Sequence, residues 1–128
     1  MQALLDTHAL IWWVLGDSGL SVPVRQTIAD PANEIFVSAA SGWEITTKYR
    51  LGRLPAAAQL ATNFAKIILG QGFIPLPITV MHACMSGSLP GPHKDPFDRT
   101  LAAQSLAENM PILSNDTALD QFGVTRIW

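Results

Sequence analysis

Residues 3–13, Ala3-Leu4-Leu5-Asp6-Thr7-His8-Ala9-Leu10-Ile11-Trp12-Trp13, decide the fold: three apolar residues, one acid, then a segment that stays largely apolar to Leu15. A short apolar run that gives way abruptly to Asp reads as a buried strand, with Asp6 where the strand becomes a helix. The same arrangement recurs at Ile112-Leu113-Ser114-Asn115-Asp116. Both carboxylates then fall at the carboxyl ends of parallel strands, the edge where open α/β sheets collect their ligands.

Outward from these two segments, apolar runs at 3–5, 34–38, 73–76, 111–114 and 124–127 read as strands. Helical patterns lie between them at 7–15, 22–29, 39–51, 56–69, 80–86 and 96–108, with a short turn at 117–122. This alternation predicts an α/β fold with a mostly parallel sheet and one continuous domain over residues 1–128. Several boundaries have local causes. Ser21 can cap a helix ahead of Pro23, Asp95-Pro96 is a cap followed by a first-position proline, and Gly52 and Gly70 can end their helices.

Composition narrows the function classes. With 128 residues, 48% hydrophobic and 14% charged, the chain buries one sizeable core and leaves apolar surface for a partner. No apolar stretch reaches the roughly 20 residues of a membrane helix, and no basic cleavable leader precedes Asp6, so a cytoplasmic location is expected. The single Cys84 excludes an internal disulfide and reads as a buried thiol. A net charge of −2 argues against a broad basic face for nucleic acid. Lys48, Arg50 and Arg53 form a short basic cluster that a solvated helix end explains equally well.

The acids have an ordinary reading that must be set beside the chemical one. Asp6, Asp95 and Asp116 all precede expected helices, where Asp commonly accepts bonds from free backbone N–H groups. Asp98, in a first turn, suits the helix dipole, yet it opens the inward stripe Leu101, Ala102 and Ser105. Glu44 stands at capping-box spacing from Ser41 and at i,i+4 spacing from Lys48. Carboxylates crowded at a sheet edge repel one another, and a bound cation or raised pKa values relieve the repulsion. Oxygen ligands without a cysteine cluster or an HExxH helix favour Mg²⁺ or Mn²⁺ over zinc, and such a site suits phosphodiester hydrolysis.

In the segments LLDTHALIWW, SAASGWEI, HKDPFDRTLAAQS and PILSND, the whole chain resembles bacterial PIN-domain ribonucleases of the VapC toxin type. The resemblance implies a three-layer α/β/α sandwich. It also implies that Asp6, Glu44, Asp98 and Asp116 are the catalytic, metal-binding acids, with Ser114 where the family often has Thr. Such proteins cleave RNA, frequently transfer or ribosomal RNA, with Mg²⁺ or Mn²⁺, and are restrained by a small antitoxin. A homodimer and an antitoxin partner are expected accordingly. The alternative from another class is an inactive PIN-fold module acting through protein or RNA contacts. A phosphatase acting through an aspartyl-phosphate is disfavoured, because the second Asp it usually needs two residues after Asp6 is His8.

Ser114, Asn115, Lys48, Arg99 and His93 are candidates for contact with substrate phosphate, and Asp95 is read as a cap before a supporting acid. His8 and His82 are assigned to packing. Trp12, Trp13 and Trp43 are core candidates, although adjacent Trp12 and Trp13 cannot both face inward on one helix, so one is expected on a dimer or antitoxin surface.

Overall fold

The computed structural model describes residues 1–128. Five strands form one sheet: β1 (Gln2–Leu5), β2 (Glu34–Ser38), β3 (Ile74–Leu76), β4 (Ile112–Leu113) and β5 (Arg126–Ile127). Their order is β3-β2-β1-β4-β5, and every pairing is parallel. The helices are α1 (Thr7–Leu15), α2 (Val22–Ala29), α3 (Ala39–Arg50), α4 (Ala58–Thr62), α5 (Phe64–Gly70), α6 (Val80–Ser88) and α7 (Pro96–Ala107), with 3-10 turns at Pro55–Ala57 and Thr117–Phe122.

Alternation along the strands splits the interior into two cores. Ala3, Leu5, Ile35, Val37 and Leu113 point to one face and meet Leu10 of α1, Val24 and Ile28 of α2, Leu60 of α4 and Ile68 of α5. Leu4 and Ile112 point to the other and meet Leu101 and Ala102 of α7 and Leu119 of the second 3-10 turn. Helix α3 contributes Ile45 to the first core and Ala40 to the second, so it closes one end of the sheet. The result is the expected three-layer α/β/α sandwich, with strands buried on both faces as a parallel sheet requires.

The single helix expected at 56–69 is broken at Asn63, whose φ of −131° and ψ of 33° leave the helical region. The Asn63 amide donates to Thr62 Oγ1 at 3.2 Å, a local bond that competes with helical backbone. The break lets Leu60 and Ile68 both reach the same core. Gly70 lies inside α5, and the left-handed residue beyond it is Gly72, at φ +78°. Helix α3 starts at Ala39, capped by Ser38 accepting from the Ala40 N–H at 2.9 Å, which settles Ser41 as an interior residue.

Candidate active site

From β1 the chain builds outward through β2 and β3 on one side and is joined by β4 and β5 on the other. The crevice between the carboxyl ends of β1 and β4 is therefore the topological switch point, where open parallel sheets bind ligands. Asp6 leaves β1 and Ser114 leaves β4 there, with Leu5 beside Leu113 in the register. The Ser114 hydroxyl donates to Asp6 Oδ2 at 2.6 Å and accepts from the Asp116 N–H at 3.0 Å. Since the Asp116 amide can only donate, the serine proton is directed at Asp6, and the carboxylate is fixed in one orientation.

Asp6 occupies the N-cap position of α1 but makes no side-chain cap bond. It is 4% exposed, and burial, opposed by the Ser114 bond and the His8 charge, pushes its carboxyl up to about 6. Asp95, in the equivalent position before α7, does cap, accepting from the N–H groups of Phe97 at 2.8 Å and Asp98 at 3.1 Å. Asp116 caps its 3-10 turn through Oδ1, from Ala118 at 3.0 Å.

Helix α7 brings Asp98 to the same crevice. Burial raises its carboxyl above the usual range, the charges of Asp95, Glu44 and Asp116 raise it further, and a hydrogen bond from His93 Nε2 to Oδ2 at 2.9 Å opposes them. Asp98 in turn raises Asp6. Asp98 thus interacts with Asp6, Glu44 and Asp116 across elements that meet only in the folded chain. Glu44, on α3, is 3% exposed; its Oε2 takes Lys48 Nζ at 2.5 Å, while its buried Oε1 has no partner. A buried hydrogen bond of 2.9 Å between the hydroxyls of Thr7 and Ser41 ties the start of α1 to α3 one turn before Glu44. That pair was not singled out from sequence, although a hydroxyl directly after one acid and another three residues before the next were visible signals.

No three His, Cys, Asp or Glu side chains are arranged to hold an ion by themselves. The arrangement fits a hydrated Mg²⁺ or Mn²⁺, which keeps most of its waters and takes one or two carboxylates directly. The donor set is all oxygen, and an orphaned carboxylate oxygen and an acid not spent on capping are both present.

Other expected residues fall differently. Arg99 turns inward: Nε donates to the Ser86 carbonyl at 2.9 Å, Nη1 to that of His93 at 2.8 Å and Nη2 to that of Leu89, and its guanidinium lies 5.5 Å from the Phe122 ring centroid. It anchors the loop that carries His93, and its guanidinium is turned to backbone carbonyls. Lys48 is held by Glu44, and Asn115 is exposed. His82 is buried as expected, but His8 is exposed beside Trp12, because on α1 it faces away from the sheet. Cys84 is exposed, not buried. Trp12 and Trp13 are each half-buried, and the tryptophan that stands out is Trp43, 57% exposed.

A parallel sandwich with an acidic crevice at its switch point defines the class, and the comparisons place the chain within it. The PIN domain family model matches residues 3–124, and the chain belongs to that family. Over 58 residues it is 38% identical to Ribonuclease VapC16 of Mycobacterium tuberculosis, a match covering 45% of this chain and 41% of that relative. Its fold is similar to that in a structure of VapBC2 from Rickettsia felis bound to a promoter DNA fragment, with TM-score 0.72 and 16% identity over 99% of this chain and 98% of that one. It is also similar to VapBC-1 from nontypeable Haemophilus influenzae, with TM-score 0.67 and 14% identity over 99% and 97% of the two chains. No helix is long and apolar enough to cross a membrane.

Proposed function

We propose that this PIN-domain chain is a metal-dependent endoribonuclease, the toxin of a toxin–antitoxin pair acting in the cytoplasm. The observation that carries the reading is the set of buried, underused carboxylates at the switch point, above all Glu44 Oε1 and the uncapping Asp6. Asp6, Glu44, Asp98 and Asp116 would hold Mg²⁺ or Mn²⁺ directly or through its waters. Such a cation supplies positive charge to a scissile phosphate and to the water that attacks it.

The chain's own groups prepare this chemistry. Ser114 orients Asp6, His93 orients Asp98, and Arg99 holds His93 in place through three carbonyls. Lys48 neutralises one oxygen of Glu44 and leaves the other available. The partially desolvated setting strengthens every charge interaction with the phosphodiester.

Incubating the protein with total RNA in Mg²⁺, Mn²⁺ or EDTA and mapping new ends tests the activity. Metal-dependent cuts at defined positions are expected; intact RNA under all conditions leaves the inactive binding module in its place. An antitoxin and a second copy of the chain are the partners in this reading. An apolar cavity of about 310 Å³, lined by Val37, Phe64, Ile68, Leu69, Pro75 and Leu76, supports a protein partner. Sedimentation is expected to show a dimer at micromolar concentration, and expression of the chain alone is expected to arrest growth.

A further inference from the structure

Trp43 and Phe97 each stand one residue before a site acid, Glu44 on α3 and Asp98 on α7. Their rings meet nearly edge to face, 4.9 Å between centroids at 85°. Trp43 is nonetheless 57% exposed, an unusual state for an indole already in aromatic contact, and Val80 and Met81 are the exposed large apolar residues of a different helix. Because neighbouring residues on a helix point about 100° apart, Glu44 turns into the crevice while Trp43 stays on its rim. Since the two rings touch and each is bonded through the chain to a site acid, the aromatic pair borders the acids themselves.

We propose that Trp43 is a stacking platform for an unpaired nucleobase next to the scissile phosphate, braced from the side by Phe97. This deepens the endoribonuclease reading and rests on it. The occupant is single-stranded RNA, for three reasons. An exposed indole offers a flat π-face that any base can use, whereas a paired base has both faces stacked within its duplex. The exposed cations that flank the two helices in sequence, Arg50 at the end of α3, Arg53 just beyond it and Lys94 before α7, take part in none of the ion pairs and suit a phosphate backbone. The crevice's own side chains are acids, and its one cation, Lys48, is held by Glu44, so a contact that does not depend on charge helps to hold the nucleotide there.

The test is binding, in Mg²⁺, of a single-stranded oligoribonucleotide of about ten residues to the full chain carrying Asp6→Asn, with the matching duplex in parallel. Stacking quenches tryptophan fluorescence, and Trp12, Trp13 and Trp128 are half-buried, so the quench reports mainly Trp43. Adding Trp43→Ala is expected to weaken single-strand binding about tenfold and remove the quench. Trp43→Phe recovers most of the affinity, and duplex binding changes less than twofold in both. In the otherwise unmodified chain, Trp43→Ala raises KM for RNA more than it lowers kcat.

Single-strand binding by Trp43→Ala within twofold of its parent overturns the proposal while the nuclease reading stands, provided the unmodified chain still cuts RNA. Equal losses on single strand and duplex overturn it as well. A change in sedimenting mass on Trp43→Ala assigns the indole to a contact between copies instead. If the chain neither binds nor cuts RNA, the nuclease reading and the stacking platform fall together.

Discussion

Two buried polar clusters lie at this end of the sheet, and only one of them is complete. In the first, Ser38 donates to Gln104 Oε1 at 2.5 Å, Gln104 Nε2 donates to the Pro77 carbonyl at 3.1 Å, and His82 joins Thr79 to Glu108. The Thr79 N–H donates to His82 Nδ1 at 3.1 Å, so Nε2 carries the proton given to Glu108 Oε1 at 2.8 Å. In the second, Asp6 and Asp98 are raised by burial and by neighbouring acid charge, and buried Glu44 keeps Oε1 without a partner. A satisfied network in a low-dielectric interior fixes helix positions, whereas an unsatisfied one costs stability that the fold itself does not return. The first cluster is explained by the structure it holds; the second is left incomplete by the fold, as the proposed ion site requires.

The largest expected effect separates the clusters by activity. Asp6→Asn or Asp98→Asn is expected to reduce metal-dependent RNA cleavage by at least about 100-fold with circular dichroism unchanged, because each removes charge but keeps shape. Cleavage near the wild-type rate by either variant removes that residue from the mechanism. Gln104→Ala works on the other cluster. It strands the Ser38 hydroxyl and the Pro77 carbonyl, and urea titration is expected to show a loss of about 2–3 kcal/mol. The metal-induced stabilisation should survive that change. If it disappears, the two clusters act as one unit and the contrast between them fails.

Stability against pH sharpens the contrast further. The folded carboxyl of Asp6 lies at about 6, above its ordinary 3.8, so the folded state binds more protons than the unfolded state between those values. Its contribution to stability is fully present below about 4 and is lost as pH rises through 6. Asp98 is shifted the same way. The metal-free protein is therefore expected to lose stability across this window. Mg²⁺ or Mn²⁺ at 100 times its Kd should add about 2.7 kcal/mol. Asp6→Asn should raise the metal-free melting temperature at neutral pH and shrink that gain. A lower melting temperature together with an unchanged metal response would mean that Asp6 serves the fold and not an ion.

The smallest effect belongs to Glu108→Gln. The side chain is 42% exposed and the substituted amide keeps an acceptor for His82, so a change of less than about 1 kcal/mol is expected in thermal melts near pH 7. A larger loss would show that the complete cluster depends on the charge of Glu108 and not on its geometry alone.

Much of this was legible in the chain because strand-to-helix boundaries are marked by local chemistry. Asp6 after Ala3-Leu4-Leu5 and Asp95 before Pro96 read correctly as boundaries, yet nothing local distinguished the acid that caps from the one that does not. That difference depends on Ser114, which reaches Asp6 only through the β1–β4 pairing. The surface positions of His8, Trp43 and Cys84 were misread for a related reason. Residue type suggests burial, but which face of a helix meets the sheet is set by tertiary packing. The break at Asn63 was hidden because helix-forming residues flank it on both sides, and the turn matters only for aiming Leu60 and Ile68.

The hydrogen bond from Ser114 to Asp6 spans 108 positions, and the β1–β4 pairing beside it closes a loop of similar length. Contacts this distant in sequence form late, because chain entropy must be overcome before they contribute anything. During synthesis, β1, β2 and α3 can associate while β4 has yet to be made, with Asp6 and Glu44 already in one body but the far wall of the crevice missing. The crevice is consequently incomplete until the sheet closes, and the serine that orients Asp6 arrives with the strand that completes it.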